Sequence, residues 1–258
     1  MIFLDTPQVA DAAEFFALEY ALAVRRSTEE FYFFWQTPPT LMLGRNQVVE
    51  QEIDLSAAQR GNVAVRRRNS GGGTIYTDGG TLQISHLVQN PSDMSVQLAV
   101  ETRRLADALC KLRIPAEFNS RNDILADGKK VSGAAGYSCG HCYLYHASLL
   151  WEADLPAIAE LLTVDEAKLK RHGICSVRQR VTSLSRFCGG SLAEFSARLR
   201  AELAADCPHR PPTREEARSA SRYEERIFSD PTWIMHGKAT FGIDETNSIL
   251  SFFLVDKQ

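Results

Sequence analysis

The sequence lacks a basic excess and any long apolar run. Its 258 residues carry 29 lysines and arginines against 32 acidic residues, which gives a net charge of −3. Nucleic-acid-binding domains usually show a strong basic excess, so we expect no nucleic-acid partner. No apolar stretch reaches the length that spans a bilayer, and the first residues, MIFLDTPQVADAAEFF, have no basic region ahead of an apolar core. We therefore expect a cytoplasmic protein with no membrane partner.

Cysteine and sequence repetition are also scarce. Six cysteines in a chain that is 44% hydrophobic and 24% charged indicate a globular protein with a sizeable core, which needs no disulfide framework. Reduced thiols are therefore the expected state. The sequence shows neither internal repeats nor low-complexity segments. Its length fits one large domain, or one domain with a small appendage.

Helices and strands are predicted along the chain in a mixed order. Helical periodicity predicts helices at 8–26, 95–114, 155–162, 165–172 and 191–206. Strands are predicted at 31–36, 40–45, 62–68, 81–88 and 141–151, with a hairpin at 122–135 and a short strand at the tail. Residues 208–215, PHRPPTRE, have the composition of a linker. This mixture predicts an α+β or mixed α/β fold and argues against a doubly wound parallel sheet.

The stretch RRRNSGGGTIYTDGG, residues 66–80, places positive charge beside backbone freedom. Adjacent glycines let backbone N–H groups converge on an anion, because no Cβ blocks the approach. Along a strand Arg67 points opposite to Arg66 and Arg68, so at least one guanidinium faces the loop and is able to hold phosphate or carboxylate. The alternative is a flexible turn beside solvated charges. The stretch is neither a Walker A loop nor a dinucleotide fingerprint.

The predicted hairpin NDILADGKKVSGAA is a second candidate for ligand binding. Its Asp127-Gly128 pair is a strong turn signal. Lys129 and Lys130 point to opposite faces of the hairpin, so one of them can point inward. The small residues that leave room for a ligand beside an inward lysine are Ser132, Gly133, Ala134 and Ala135. The alternative is a surface hairpin with two solvated lysines.

Together these motifs carry a resemblance to a known family. RRxSGGG followed by an aromatic residue and Asp, then NDI…GKKVSGAA, a strand with a histidine, and GICSVRQRVTSL are similar in order and spacing to the lipoate–protein ligase A family. That family belongs to the biotin/lipoate ligase and acyltransferase superfamily. The match runs from about Leu18 to about Leu184, and it implies a ligase-like catalytic domain at 1–210, with mixed sheets flanked by helices. Residues 211–258 resemble only the opening of the accessory domain that ligases of this family usually carry.

The resemblance implies ATP-dependent attachment of lipoate or octanoate to a lysine of an acceptor lipoyl domain. The acyl carboxylate would attack the α-phosphate of ATP, with Mg²⁺ present, and the lysine would then attack the acyl-adenylate. The implied acceptor is a 2-oxoacid dehydrogenase E2 or a glycine cleavage H protein. The short accessory region implies either a separate accessory-domain subunit as a further partner or a chain that performs only part of the reaction. The motifs do not distinguish lipoate from octanoate or biotin.

The resemblance also assigns roles to individual residues. Lys130 matches the lysine that contacts the carboxyl and α-phosphate oxygens, and it is the predicted catalytic residue. Asp123 matches a residue near the adenylate that helps to hold Mg²⁺. The predicted cofactor- and ligand-binding residues are Arg68, Ser70, Gly71, Gly72, Gly73, Ile75, Tyr76, Asn122, Asp123, Ser132, Gly133, Ala134, His146 and Trp35. The positions that match the surroundings of the acyl tunnel are Leu18, Trp35, Ile75 and Tyr76.

Besides Tyr145 and Ala147, which flank His146 where the family often has His-His-Gly, three positions near the pocket depart from the family pattern. Thr77 stands where the family commonly has histidine, Thr81 where it has asparagine, and Tyr137 where an arginine is common. These changes leave a non-catalytic lipoate-binding relative as an alternative function.

Cysteine chemistry supplies two further alternatives. Cys175, in GICSVRQR, lies close to where one class of octanoyltransferase places its nucleophile, so a Cys-dependent octanoyl or lipoyl transferase is an alternative to a small residue in a turn. Cys139-Gly-His-Cys142 has redox spacing, and with His146, or with His172 and Cys175, it has the composition of a zinc site. The simplest interpretation of that motif is an exposed loop with two free thiols.

Overall fold

The computed structural model describes residues 1–25, 27–119, 122–162 and 181–238. Its strands are β1 (Ile2–Leu4), β2 (Phe31–Trp35), β3 (Thr40–Leu43), β4 (Ala64–Arg67), β5 (Ile75–Thr77), β6 (Thr81–Gln89), β7 (Ala116–Phe118), β8 (Asp123–Ala126), β9 (Lys129–Cys139), β10 (Cys142–Leu150) and β11 (His209–Arg210). Its helices are α1 (Ala12–Val24), α2 (Val49–Glu52), α3 (Leu55–Arg60), α4 (Gln97–Lys111), α5 (Leu155–Leu161), α6 (Leu192–Ala204), α7 (Arg214–Tyr223) and α8 (Pro231–His236), with a 3₁₀ turn at Leu184–Arg186 and a π-helical turn at Glu224–Phe228. The predicted helix at 165–172 and the predicted tail strand lie outside the described residues.

Two sheets organise these elements. The large sheet has the order β11-β1-β2-β6-β10-β9-β8-β7, in which β11, β1 and β2 run parallel and the other neighbours run antiparallel. The small sheet has the order β4-β3-β5, with one parallel and one antiparallel pair. This arrangement confirms the predicted α+β or mixed α/β class, with mixed sheets flanked by helices.

The two faces of the large sheet pack against different helices. On one face, hereafter the α4 face, α4 and α6 cover a core that includes Leu105, Leu109, Phe195 and Leu199. On the other, hereafter the α1 face, α1 is enclosed between the strands and α7. Residues of α2, α3 and α5 cover the far side of the small sheet. None of the helices in the described ranges is both long and apolar enough to cross a bilayer.

Helix α1 is apolar on nearly all sides because it is enclosed on all sides. The Asp11 carboxylate caps it by accepting the N–H of Ala13 at 2.9 Å, and Glu14 completes a capping box. The helix therefore begins after the predicted residue 8, since Val9 pairs with Gln36 of the neighbouring chain segment instead.

The predicted hairpin forms from β8 and β9. Asp127 and Gly128 have φ angles of 48° and 70°. A two-residue turn between twisted strands requires such left-handed values, which glycine adopts without strain and aspartate tolerates.

The prediction of a linker at residues 208–215 is wrong. His209 and Arg210 form β11, which pairs in parallel with β1. Thr213 caps α7 by accepting the N–H of Glu216 at 3.2 Å, and Glu216 binds Arg210 at 2.7 Å. The prolines are tolerated because β11 is an edge strand. The division of the chain into domains at residue 210 stays a prediction. Helix α7, which follows that position, packs directly on α1.

Candidate active site

The loop between β4 and β5, residues 68–74 and hereafter the glycine loop, is held from beneath by Arg68. This arginine is 5% exposed. It donates hydrogen bonds to Ser70 Oγ at 3.0 Å, Met42 O at 2.8 Å, Gly71 O at 2.8 Å and Gly73 O at 2.7 Å. Burial lowers the pKa of Arg68 to about 10, while the Glu19 carboxylate acts in the opposite direction. The guanidinium therefore stays charged at neutral pH, and it organises the loop.

The carbonyls of Gly71 and Gly73 point toward Arg68, so two backbone N–H groups of the loop point away from it. In a trans peptide the N–H of the next residue points opposite to the carbonyl, so the N–H groups of Gly72 and Thr74 point away from Arg68. Within the described ranges, no acceptor binds the backbone N–H groups of residues 71–73. Gly72 has a φ angle of 91°, which residues with a side chain rarely adopt. The loop therefore presents open N–H donors of the kind that bind anions.

A buried polar chain connects the glycine loop to α1 and the large sheet. Its members are Arg68, Ser70, His146, Glu19, Ser85 and Trp35, all of them buried. His146 Nε2 lies 2.5 Å from Ser70 Oγ, and His146 Nδ1 lies 3.4 Å from Glu19 Oε1. Ser85 donates to the same Glu19 oxygen at 2.5 Å and accepts the indole N–H of Trp35 at 2.8 Å. The predicted pocket histidine is therefore a link between the loop and the helix.

The two ring nitrogens of His146 contact different parts of the site. Nε2 contacts Ser70 Oγ, which also accepts a hydrogen bond from Arg68, and Nδ1 faces Glu19. Glu19 and Ser85 were absent from the predicted site. An acid in the middle of an otherwise apolar helix, as in FALEYAL, is the signal that could have identified Glu19.

A β-bulge brings Lys130 to the α1 face. The register between β8 and β9 shifts at Ile124 and Leu125, which inserts one extra residue into β9. In a regular ladder, alternation would place Lys130 on the face opposite to Asp123 and Gly133. The bulge places all three together.

The ammonium group of Lys130 is held over Gly133. Lys130 Nζ lies 2.6 Å from Asp123 Oδ1, and the lysine side chain is 26% exposed. A Cβ on Gly133 would lie 2.7 Å from Nζ, so the ammonium occupies the space that a side chain would take. Lys129 is exposed on the other side of the hairpin. One of the two lysines therefore points inward, as the alternation predicts.

The glycine loop and Lys130 lie over neighbouring positions of β9. A Cβ on Gly72 would lie 3.9 Å from the Cβ of Ala135, and the ammonium of Lys130 lies over Gly133. These two positions are about 7 Å apart along the strand. His146 pairs with Ala135 across the β9–β10 ladder, so the buried polar chain lies beside the same positions of β9. The α1 face therefore combines a cation, outward amides and small side chains in one place.

A cluster of apolar side chains, hereafter the apolar bed, adjoins these polar groups. Its residues are Phe15, Leu18, Trp35 and Ile75. Trp35 stacks on Phe15 with ring centroids 4.5 Å apart. Leu18 and Ile75, two further positions that match the acyl tunnel, pack in the same cluster as Trp35. The bed lies on the α1 face, where the ammonium of Lys130 also lies.

Three predicted ligand-binding side chains lie elsewhere. Ser132 and Ala134 point to the α4 face, where their strand neighbours belong to the core, so only their backbones border the site. Tyr76 faces the far side of the small sheet and packs with residues of α3 and α5. Strand alternation explains the difference on β9, because the α1-face positions there are Gly133 and Ala135.

Asn122 and Asp123 begin the hairpin at the site. Asn122 Nδ2 donates to Ala134 O at 2.8 Å, and Ala134 N–H donates to Asn122 O at 2.7 Å. In the part of the chain that the structure describes, no three His, Cys, Asp or Glu side chains are arranged to hold a metal ion. Mg²⁺ is often bound by one or two carboxylates together with substrate phosphates. Asp123 supplies one such carboxylate, so the residues fit Mg²⁺ only as a partner of bound phosphates.

The two cysteines of the motif Cys139-Gly-His-Cys142 are buried, whereas Gly140 and His141 at the turn between them are exposed. Cys139 and Cys142 pair across the β9–β10 hairpin and are 3% and 1% exposed. Burial raises the pKa of Cys139 to about 11 and that of Cys142 to about 12, which leaves both as unreactive thiols. The prediction of an exposed turn with free thiols is confirmed for Gly140, His141 and the thiols. It is wrong for the exposure of the cysteines, because both strands extend to them and direct them toward α1. Cys175 and His172 lie outside the described residues.

The three positions that depart from the family pattern are part of the packed framework. Thr77 is fully buried and shares a hydrogen bond of 2.8 Å with Thr37. Thr81 donates to Asp78 O at 2.9 Å and closes the turn before β6. Tyr137 packs in the α1-face cluster, and burial raises the pKa of its hydroxyl well above the usual value.

Sequence comparison relates the chain to ligases. Residues 11–204 match the family model described as the lipoyl protein ligase A/B catalytic domain. The chain is 29% identical over 202 residues to lipoate-protein ligase LplJ of Bacillus subtilis (strain 168), a match that covers 77% of this chain and 61% of that protein. It is 31% identical over 193 residues to lipoate–protein ligase 1 of Staphylococcus aureus (strain Mu50), covering 74% and 59%. The chain spans between 51% and 61% of the length of such curated relatives.

Solved structures share the fold, and the family model identifies the chain. A bi-partite lipoate protein ligase from Thermoplasma acidophilum, described with its E2 lipoyl domain, has a TM-score of 0.80 at 24% identity over 91% of this chain and 95% of that chain. A lipoate-protein ligase A bound with ATP has a TM-score of 0.79 at 24% identity over 91% and 98%. At these identities the likeness shows the ligase fold alone. The family model, which covers most of the chain, shows that this protein belongs to the family of lipoyl protein ligase A/B catalytic domains.

Proposed function

We propose that this domain activates lipoate or octanoate with ATP and passes the acyl group to a lysine of a lipoyl domain. The observation that carries the proposal is the position of Lys130 over Gly133 and of the glycine loop over Ala135, two residues further along the same face of β9. Fixed donors aimed at one spot stabilise negative charge that develops there. The named ligases among the relatives, and an ATP-bound ligase of the same fold, support the same reaction.

In the first step, a carboxylate oxygen of the acyl group attacks the α-phosphorus of ATP. A C(O)–O–P bond forms, the bond to the bridging oxygen of the β-phosphate breaks, and pyrophosphate leaves. Negative charge from both reactants crowds at this point, and the ammonium of Lys130 stabilises it. The N–H groups of Gly72 and Thr74 bind phosphate oxygens. Before the substrates bind, Asp123 keeps the ammonium over Gly133.

The other groups of the site hold this arrangement and exclude water. The chain from Arg68 through His146 to Glu19 fixes the glycine loop against α1. The acyl tail lies on the apolar bed beside Trp35 and Leu18. Mg²⁺, when it is bound with the triphosphate, neutralises phosphate charge. We assign Asp123 as the carboxylate of this chain that contacts it.

In the second step, the amine of an acceptor lysine attacks the acyl carbonyl carbon. A C–N bond forms, the C–O bond to AMP breaks, and the amine loses a proton. We propose a lipoyl domain of a 2-oxoacid dehydrogenase E2, or a glycine cleavage H protein, as the acceptor. The Thermoplasma acidophilum ligase that shares this fold is bi-partite and is described with its E2 lipoyl domain. That precedent supports both a lipoyl-domain acceptor and a separate accessory-domain subunit.

Lipoate-dependent exchange of labelled pyrophosphate into ATP tests the first step. We expect exchange in the unmodified protein and a loss of at least about 100-fold in Lys130→Ala, because a preorganised charge at the reacting oxygens is removed. Lys129→Ala is the matched control, since Lys129 is the exposed neighbour. It should exchange at the rate of the unmodified protein.

Two outcomes would contradict the proposal. One is exchange that survives in Lys130→Ala within about threefold of the control, which would remove the lysine from the reaction. The other is the absence of exchange in the unmodified protein, with and without a candidate accessory subunit. A hydroxylamine-labile acyl adduct formed from octanoyl-acyl carrier protein would instead favour a Cys-dependent transferase.

A further inference from the structure

Arg67, the neighbour of Arg68, is a fully buried arginine that binds backbone carbonyls. It is 0% exposed. Its guanidinium donates to Gly44 O at 2.9 Å, Arg45 O at 3.0 Å, Gln47 O at 2.8 Å, Ile234 O at 2.8 Å and Met235 O at 3.2 Å. Two separate stretches of chain therefore meet at this one side chain. They are residues 44–47, which follow β3, and the last turn of α8.

The α8 side of this junction is fixed in three ways. The carbonyls of the last turn of a helix have no partner within the helix, and Arg67 supplies one for Ile234 and Met235. The indole N–H of Trp233 donates to Arg67 O at 3.0 Å. Gly237 ends α8 with a φ angle of 64°, and a Cβ there would lie 2.8 Å from Arg45 O. The helix end therefore fits closely against both Arg67 and residues 44–47.

The other side of residues 44–47 contacts the glycine loop. Arg45 N–H donates to Ser70 O at 2.9 Å. A Cβ on Gly44 would lie 2.0 Å from Gly72 O, so the two backbones are packed as closely as glycine allows. Residues 44–47 thus lie between the glycine loop and Arg67, and Arg67 joins them to α8.

We propose that Arg67 is a positioning residue for the glycine loop, and that α8 belongs to the framework of the phosphate-binding site. This inference rests on the proposed function. The two adjacent arginines hold the loop from different sides. Arg68 turns the loop carbonyls inward, and Arg67 fixes residues 44–47, against which Ser70 and Gly72 of the loop pack. Although α8 is more than 160 residues distant in sequence from β4, it then determines where the loop amides point.

The proposal requires the shape of arginine and not only its charge. Burial lowers the pKa of Arg67, yet an arginine stays protonated in a protein. Its planar guanidinium reaches carbonyls in several directions at once. A lysine carries the same charge on a single nitrogen and cannot span residues 44–47 and α8 together. Arg67→Lys therefore removes the junction and keeps the charge.

The test measures the dissociation constant of ATP by calorimetry and the KM values of the exchange reaction. For Arg67→Lys we expect about tenfold weaker ATP binding and a higher KM for ATP, with the KM for lipoate unchanged. Arg66→Lys is the matched control, because Arg66 binds Asp11 at the surface, and it should bind ATP as the unmodified protein does. Gly237→Ala perturbs the junction from the α8 side and should weaken ATP binding in the same direction. It also supplies the test if Arg67→Lys does not fold.

Each result distinguishes this inference from the proposed function. Equal ATP affinities in Arg67→Lys, Gly237→Ala and Arg66→Lys would overturn the inference even if the unmodified protein is an active ligase. A lower melting temperature with unchanged ATP affinity would also overturn it, because it would show a purely structural role. ATP binding that depends on Arg67 in a protein without exchange activity would support the inference and contradict the proposed function.

Discussion

The two faces of the large sheet each hold a histidine beside a glutamate, on neighbouring strands. On the α1 face, His146 of β10 lies 3.4 Å from Glu19 and 2.5 Å from Ser70. On the α4 face, His86 of β6 lies 2.9 Å from Glu101. His86 Nε2 has no hydrogen-bond partner among the residues that the structure describes. The same two residue types therefore occur in two settings, one connected to a loop with open donors and one that ends in the core.

The difference lies in what each pair connects. Glu101 also accepts from Gln97 at 3.0 Å and lies 3.8 Å from Arg104, both on α4, and its contact with His86 ties this one helix to the sheet. Glu19 and His146 tie a helix, the sheet and the glycine loop together. A buried ionisable pair is thus a weak sign of function by itself. The α1-face pair differs because the buried polar chain to which it belongs ends at the glycine loop and its open N–H groups.

The largest effect that separates the two faces should come from His86→Leu. Removing one partner of a buried pair leaves the other desolvated, so we expect the free energy of unfolding to fall by about 3 kcal/mol or more. Exchange activity per folded molecule should not change, because His86 faces away from the site. Urea unfolding and the exchange assay measure the two quantities. A variant of normal stability with impaired exchange would show that the α4 face takes part in the reaction.

A smaller effect, on activity alone, should come from Gly133→Ala. The added Cβ would meet Lys130 Nζ at 2.7 Å, and the flexible end of the lysine can move aside. We expect the lysine to be displaced from its place and exchange to fall about 30-fold, which corresponds to about 2 kcal/mol of transition-state stabilisation. Stability should change by less than about 1 kcal/mol, as in other substitutions that a flexible side chain can accommodate.

Ser132→Ala is the control for this change, because Ser132 precedes Gly133 in β9 but points to the α4 face. Its hydroxyl has no hydrogen-bond partner among the described residues, so we expect normal exchange. If Gly133→Ala and Ser132→Ala have equal activity, the space over Gly133 is not where the reaction needs the ammonium.

The smallest effect is the pH dependence of the α4-face pair. Burial favours the protonated form of Glu101, but the hydrogen bond and charge of His86, with the charge of Arg104, lower its pKa below the usual 4.5. A folded-state pKa that is lowered contributes stability above the unfolded value and loses it as the pH falls through the folded value. The stability difference between the unmodified protein and Glu101→Gln should therefore shrink as the pH falls below about 4.5. Urea midpoints at several pH values measure it, and a difference that grows in acid would contradict the assignment.

Local sequence patterns predicted the elements well where the signal is local. The Asp127-Gly128 turn and the strands on either side of it formed as expected. The alternation of Lys129 and Lys130 also held, with Lys130 pointing inward. Family motifs further selected His146 and Trp35, which the fold brings into one polar chain.

The remaining features depend on long-range geometry that no local pattern contains. A bulge reverses the face of Lys130 relative to Gly133, so sequence spacing alone does not show which of residues 132–135 direct their side chains to the face of that lysine. Arg68 is a predicted ligand-binding residue, and the sequence does not show that its guanidinium also binds the loop carbonyls of Gly71 and Gly73. Likewise, α8 meets Arg67 although the two are more than 160 residues apart in the sequence.

A crystal structure with lipoate and ATP would test the central claim most directly. The account predicts an acyl-adenylate on the α1 face, with phosphate oxygens within hydrogen-bond distance of Lys130 Nζ and the N–H groups of Gly72 and Thr74. Its acyl chain should lie against Trp35. An adenylate bound away from both Lys130 and the glycine loop would contradict the account.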